Sequence, residues 1–461
     1  MTATTASATE KLSFREKFCY GLGDASANIF MGFTMMFLTI YYTDVFRLDP
    51  AVMGTLFLIS RCIDAVSDPL IGMISDRTKS GKHGKYRAWI FYFSVPYGLS
   101  CGILFLSPDL GETGRIIYAY VTYIFLILAY SCMLVPYVSL IGAISADSNE
   151  RLSINAIRFP LDKIAWFICS AIVPGLLALF DNEVMGYRVV MGSLGIFCII
   201  LTLLCYYNTK ERVIIPVDTS ISFGTQIKML FKNDQALCMY IGQIAVMSAN
   251  TLKFGAAAYF VKYVIETQSA FVLGAVLSAG SVAGMFAPFI SNYLLQRNLI
   301  TRQHLMVYSQ LLAAVFIVII GFFTMVNPIL VIGCVFISSI FCELISIIGW
   351  ATVSDCSNYS LLKYRGNITG IISGGMLFAT KLGMAIGGAV LGYVLSFYGY
   401  DPDATSFTAE QLFCFALLFC YAPAICHVIA AISFKFYHLE ADVCDDMQRQ
   451  IKEQNLASIN N

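Results

Sequence analysis

Arg61, Asp64 and Asp68 stand at i, i+3 and i+7 within the otherwise apolar stretch G-T-L-F-L-I-S-R-C-I-D-A-V-S-D-P, residues 54–69. On a helix that spacing puts all three charges on one face. Two carboxylates one turn apart resist joint ionisation unless a cation joins them. Such a pair can house a proton or a small hard cation that prefers oxygen ligands, and Arg61 can partly neutralise it when the cation leaves. The bland alternative is a structural ion-pair network at a helix end. Asp68 is followed by Pro69 and further apolar-biased residues before the next polar segment, which places the pair deep rather than terminal. Charges inside a membrane span cost about 2.5–3.5 kcal/mol each on insertion scales and mark ion or substrate paths.

Lys381, in L-F-A-T-K-L-G-M-A-I-G-G, lies midway along another apolar stretch, too deep to reach the interface easily. An ammonium there needs a carboxylate or a polar ligand. Arg158 could face a sugar hydroxyl, a substrate carboxylate or the Asp pair, or serve structure near a helix end, with Asp162 and Lys163 as an ordinary pair beside it. Asp24, in Y-G-L-G-D, fits helix-start chemistry as well as transport. Trp350, in I-I-G-W-A-T-V-S-D, could stack on a sugar ring or anchor the span at the interface. Lys253, Lys262, Glu343 and His427 are weaker candidates. Lys262 is expected to snorkel, and His427 to be a satisfied packing residue.

These groups need helices that cross a bilayer. The chain has 461 residues, 58% of them hydrophobic and 13% charged, against roughly 25% charged in soluble domains. Apolar runs long enough to span lipid recur from end to end, and the mean hydropathy is +0.73. The expectation is an all-α polytopic membrane protein with about twelve helices of about 20–28 residues. The longest polar break, near 209–234, splits them six and six, as in transporters built from two pseudo-symmetric bundles. The expected division is a tail at 1–17, a six-helix bundle at 18–208, a central loop at 209–234, a second bundle at 235–437 and a tail at 438–461. A net charge of zero argues against nucleic acid as a partner. Lipid and a small molecule are the partners expected, with the chain working as a monomer.

The twelve residues D-R-T-K-S-G-K-H-G-K-Y-R, Asp76–Arg87, form a basic island between apolar stretches. Basic loops stay on the cytoplasmic side. Alternate connections then carry Arg151, Lys210, Arg212, Lys228, Lys232, Arg297, Arg302, Lys363 and Arg365. The opposite ones carry Asp109, Glu112, Asp181, Glu183, Asp401 and Asp403. Both termini are expected inside, in a bacterial inner membrane. Met1–Lys17 is polar and is not followed by a cleavable signal pattern. The fifteen cysteines lack metal or disulfide spacing. Gly383-x-x-x-Gly387, Gly388-x-x-x-Gly392 and Gly280-x-x-x-Gly284 are helix-packing signals, and Pro136, Pro160 and Pro174 can kink spans. Neither a phosphate-binding glycine loop nor a catalytic cluster of the GxSxG or HExxH type is present, so no enzyme, no ATPase engine and no cofactor are expected. Uphill work must draw on a gradient of Na+ or H+.

The runs Y-G-L-G-D (20–24), Y-Y-T-D-V-F (41–46), R-C-I-D-A-V-S-D-P (61–69) and G-K-Y-R (84–87) resemble the glycoside–pentoside–hexuronide:cation symporters, a branch of the major facilitator superfamily that includes melibiose permease. The likeness covers essentially the whole chain. It implies two six-helix bundles and alternating access around a central site. It implies that Asp64 and Asp68 bind the cation, as metal ligands if the ion is Na+, and that Ser131 adds a hydroxyl. It further implies that Arg61, Arg158, Lys381 and Trp350 line the substrate cavity. Where the melibiose-type carrier has a Lys-Asp pair on the first helix, this chain has Ala27 and Asn28, and Leu134 replaces a second sugar-binding carboxylate. The late D-x-x-D-Y-G pattern reads Asp355-Cys-Ser-Asn358-Tyr359-Ser360. A galactoside site is therefore not implied. Losing two carboxylates while keeping Arg158 and Lys381 suggests a more positive cavity, suited to a hexuronide, a sulfonated sugar or its short breakdown product, as in members linked to sulfosugar metabolism. Export or exchange of a small organic anion, such as a sugar-derived sulfonate, is the competing expectation.

The orientation is testable. With other reactive thiols removed, Ser80→Cys should resist a membrane-impermeant maleimide added to intact cells and react after permeabilisation. Rapid labelling from outside would invert the topology.

Overall fold

The computed structural model describes residues 11–145, 147–213, 223–265, 269–322, 327–364, 369–404, 406–440 and most of 442–450. Fifteen α-helices run through them: α1 Phe14–Ile40, α2 Pro50–Arg77, α3 Tyr86–Leu104, α4 Glu112–Ile144, α5 Ser148–Leu177, α6 Glu183–Asn208, α7 Phe223–Lys232, α8 Asp234–Tyr259, α9 Ala270–Gln296, α10 Arg302–Phe322, α11 Pro328–Glu343, α12 Ser346–Tyr364, α13 Thr369–Phe397, α14 Ala409–Ala416 and α15 Ala422–Phe434. No named strand occurs among the described residues, as an all-α chain requires. Short polar residues start the helices. Ser13, Asp49, Asn182, Asn233, Asn327 and Thr408 each accept a backbone N–H of the turn they open.

Among the described residues, nine helical stretches are long and apolar enough to cross a membrane. The other expected spans are also helical. α2 carries Arg61, Asp64 and Asp68, and α3 has 19 residues. The tenth span is not one helix: α11 stops at Glu343, Leu344 and Ile345 form a turn, and α12 starts at Ser346. Pro136, Pro160 and Pro174 lie inside continuous helices. Large apolar side chains point outward along the spans, with Val121 62%, Ile196 61% and Phe289 75% exposed. A face of that kind needs lipid, not water.

The chain divides into two compact units. The first is Met1–Val217 with Gln268–Ser281 and Leu395–Thr405; the second is Asp218–Thr267 with Val282–Val394 and Ser406–Asn461. The two short segments of the first unit are tied in by polar contacts. Ser281 meets Ser170 at 3.4 Å, the Tyr400 hydroxyl donates to Asp44 at 2.7 Å, and Arg47 pairs with Asp403 at 2.7 Å. The opening helices of the two halves end alike: α1 runs into a π turn at Tyr41–Val45 and α8 into one at Phe260–Val264. Within the expected central loop, residues 214–222 lie outside the described set, 209–213 are non-helical and α7 occupies Phe223–Lys232. The first ten and last eleven residues also lie outside it.

Glycines set the closest helix contacts. A Cβ on Gly383 would come within 2.5 Å of Ile244 O, and one on Gly387 within 2.7 Å of Ser248 O, so the small-residue pattern on α13 seats α8. In the first unit, Gly21 lies against Leu161 and Arg158 of α5, while Gly23 lies against Tyr137 of α4 and Cys205 of α6. The Y-G-L-G run thus lets α1 pack between three neighbours. Tyr20 and Tyr137 lock one of those contacts. Each hydroxyl donates to the other's carbonyl, at 3.2 and 2.9 Å, and the rings stack at 4.6 Å.

The basic island is a built turn. Gly81 and Gly84 pair across it, and Gly84 takes φ +86. The Glu211 carboxylate accepts the backbone N–H groups of Lys85, Tyr86 and Arg87, each at 2.8 Å, at the start of α3. An anion at a helix N-terminus satisfies orphan donors and meets the positive end of the helix dipole. The next residue, Arg212, grips Glu16 of α1 through both guanidinium nitrogens at 2.7 and 2.9 Å. The pair Glu211-Arg212 therefore ties three helix ends together.

Gly84→Ala tests this turn. The left-handed backbone disfavours any Cβ by about 1–2 kcal/mol, and here the Cβ would also meet Glu211 Oε1 at 2.8 Å. The variant should unfold several degrees earlier in detergent. An unchanged melting temperature would show that the island is not anchored through Glu211.

Candidate functional site

Among the ion pairs of the first unit, those of Arg61 and Arg158 lie within the long helices. On α2, Arg61 Nη1 donates to Asp64 Oδ2 at 2.7 Å, with the Asp64 side chain only 2% exposed. From α4, the Ser131 hydroxyl reaches the other oxygen, Oδ1, at 3.5 Å. Asp68 follows one turn along α2 and is half-buried. Of the expected residues, Asp64 thus contacts both Arg61 and Ser131.

The second pair joins α5 to α1. Arg158 Nε donates to Asp24 Oδ2 at 2.8 Å. Asn28, one turn above Asp24, donates from Nδ2 to the Asp24 carbonyl at 2.9 Å. Its Oδ1 accepts the indole N–H of Trp166 at 3.2 Å. Arg158 and Asn28 therefore belong to one cluster, organised by Asp24. Asp24 lies well inside α1 and is 5% exposed, so the helix-start reading fails. A second expectation also changes. Arg158 counted as an excess cation because carboxylates are missing at 28 and 134, but Asp24 compensates it. A buried guanidinium must have such a partner, and it stands on α1 one turn before Asn28.

Tyr130 of α4 links the two pairs. It is 7% exposed and lies within electrostatic reach of Asp24, Arg61, Asp64 and Asp68 together. Sequence reasoning missed both Tyr130 and Trp166. A signal existed for the tryptophan, since Arg158, Asp162 and Trp166 repeat at i, i+4 and i+8 on one face of α5. Nothing comparable marks Tyr130, one of 26 tyrosines. Lys381 is partly buried on α13 of the second unit. Trp350 falls on α12, but its side chain lies outside the described residues.

The second unit has its own polar heart. Lys253 is 4% exposed and donates to the Ser339 hydroxyl at 3.1 Å. His427 Nδ1 meets Gln310 Oε1 at 2.8 Å, and both are fully enclosed. His427 is thus the satisfied packing residue expected.

The charged pairs are held by close-packed helices. The MFS/sugar transport protein family matches residues 19–441. The chain belongs to this family. It is a multi-pass membrane transporter and not an enzyme. The chain is 31% identical over 432 residues to an inner membrane symporter of Escherichia coli, YicJ, covering 93% of each. It is 33% identical over 460 residues to a putative glycoside/cation symporter of the same organism, YagG, covering 97% of this chain and 96% of that one. Among solved structures, a bacterial homolog of the human lysosomal transporter Spinster shares the fold, with a TM-score of 0.65 at 13% identity, over 92% of this chain and 95% of that one. The resemblance read from R-x-x-D-A-x-x-D-P is thereby confirmed at the level of family and fold.

The Asp24–Arg158 pair makes a prediction. Asp24→Asn leaves a guanidinium beside a neutral amide. Breaking a fully buried pair costs about 3–5 kcal/mol. The Arg158 side chain is 22% exposed, so about 2–3 kcal/mol is expected here, read as a lower melting temperature. Asp24→Asn combined with Arg158→Gln should recover part of the loss. Additive losses in the double variant would mean that the two residues do not stabilise each other.

Proposed function

We propose that this transporter is a cation-coupled symporter of sugars or glycosides in a bacterial inner membrane, working by alternating access. The Asp64 environment carries this reading. Asp64 holds Arg61 on one oxygen and faces Ser131 from the other, one turn from Asp68. Carboxylate and hydroxyl oxygens suit a hard monovalent cation or a proton. Arg61 is the resident counter-charge that an arriving cation would share or displace. Asp64, Asp68 and Ser131 are the cation ligands in this reading, and the cation is cargo rather than cofactor. The names of the relatives, an inner membrane symporter and a putative glycoside/cation symporter, support the same assignment.

Asn28, Arg158 and Trp166 form the sugar-facing wall of the first unit. With Arg158 neutralised by Asp24, that wall offers hydrogen bonds and an indole face more than net positive charge. A hydroxyl-rich neutral sugar suits it better than the anionic derivative expected from the missing carboxylates. Lys381 is the cationic candidate within the second unit. The basic island faces the cytoplasm in this reading, with both termini on the same side, and the chain acts as a monomer.

Coupling is tested in proteoliposomes. With an inward Na+ or H+ gradient, wild-type protein should accumulate a glycoside from a panel of pentosides, hexosides and hexuronides above its outside concentration. Asp64→Asn should abolish accumulation while equilibrium counterflow persists. Accumulation at the wild-type level by Asp64→Asn would remove this pair from the coupling site.

A further inference from the structure

In the second unit, the interruption of the tenth span coincides with a cleft of about 120 Å³. The residues on either side of the break, Glu343 at the end of α11 and Ser346 at the start of α12, both line it. Gln243 and Asn250 of α8 line the facing wall, and Met247 and Met376 complete an apolar floor. An interrupted helix within a membrane protein is tolerated where the irregular backbone is buried in protein or lines a cavity, and such breaks recur at transporter binding sites.

The break is supported from behind. The Cys342 carbonyl, released from the helical ladder at the turn, accepts from Gln310 Nε2 at 3.5 Å, and Gln310 is in turn held by His427 at 2.8 Å. Lys253, bonded to Ser339, lies within electrostatic reach of Glu343 and supplies a counter-charge. The polar atoms are not all consumed. Gln243 bonds Thr380 through Nε2 at 3.1 Å, leaving its carbonyl oxygen. Asn250 Oδ1 faces the Cys342 thiol at 3.7 Å, and among the described residues the amide nitrogen takes no other bond. Asn250 lines the cleft, so a ligand hydroxyl in the cleft could take up this donor.

We propose that this cleft is a hydroxyl-binding subsite, taking the neutral end of a sugar through Gln243, Asn250, Glu343 and Ser346. Each group is a donor, an acceptor or both toward an alcohol. A carboxylate or sulfonate would meet Glu343 and be repelled. The size fits: a cavity of about 150 Å³ admits benzene, so this one admits part of a single pyranose ring and not a disaccharide. The proposal rests on the sugar-transport reading above.

The test is a cycle between residue and ligand on the purified full-length chain. Binding of methyl β-D-xyloside, methyl α-D-glucoside and methyl β-D-glucuronide, and of their mono-deoxy analogues, is measured by isothermal calorimetry for wild type, Asn250→Ala, Glu343→Gln and the milder Ser346→Ala. Melting temperatures report which variants fold. The wild type should bind a neutral glycoside and discriminate about tenfold against at least one deoxy analogue. One of the variants should weaken the parent glycoside about tenfold and lose that discrimination, while still separating the other analogues. Equal weakening of parent and deoxy ligands would show a structural role and overturn the proposal alone, as would wild-type affinity in all three variants. Failure of the wild type to bind any of these glycosides would overturn the sugar reading and the subsite with it.

Discussion

A guanidinium in a bilayer cannot stand alone, and most of the first unit follows from giving Arg158 and Arg61 their carboxylates. The costs of burying each ion are large and are offset only at contact distance. Arg158 reaches Asp24 because α5 and α1 come together at Gly21, where a methyl group would strike Leu161. The other side of α1 is held by Gly23 against α4 and α6 and by the reciprocal bonds of Tyr20 and Tyr137. The glycines and tyrosines in Y-G-L-G-D therefore serve the aspartate that ends the run. Arg61 has a simpler solution, since Asp64 lies one turn along the same helix.

That difference explains what could be read from the chain. Helix existence was legible throughout, because lipid demands long apolar segments and the caps Ser13, Asp49 and Asn233 announce their starts. The Arg61–Asp64 pair was legible because its partners are three residues apart. The Asp24–Arg158 pair was not, because 134 residues separate its members and only the packing of α1 on α5 brings them together. Charge arithmetic at Asn28 and Leu134 therefore gave the wrong balance. The break at Leu344–Ile345 was also hidden. Leu344 and Ile345 are both apolar, with neither glycine nor proline between the helices to mark the break.

The two units handle buried polarity differently. In the first, opposite charges meet directly within short reach of Tyr130. In the second, Lys253 meets a hydroxyl and an imidazole meets an amide, while Arg302 at the start of α10 pairs with Asp355 at 3.0 Å. Ion pairs in low dielectric respond strongly to an added charge. A network of neutral donors and acceptors responds little to charge but discriminates well among hydroxyl patterns, since a missing partner leaves a buried group unsatisfied.

Coupling then has a physical form. In the proposed reading, a cation arriving at Asp64 would compete with Arg61 for the same carboxylate, and Arg61 would shift its hold. Tyr130 is within electrostatic reach of both that carboxylate and Asp24, so it feels a change of charge at either pair. Asp24 in turn fixes Arg158 and, through its own carbonyl, Asn28, whose oxygen orients Trp166. In that reading, ion binding on α2 would reach these residues of α1 and α5 without any contact between ion and solute. Linkage of this kind is reciprocal: whatever the ion adds to solute affinity, the solute adds to ion affinity. A single buried network shared by the two sites is enough to make the ion gradient drive the sugar.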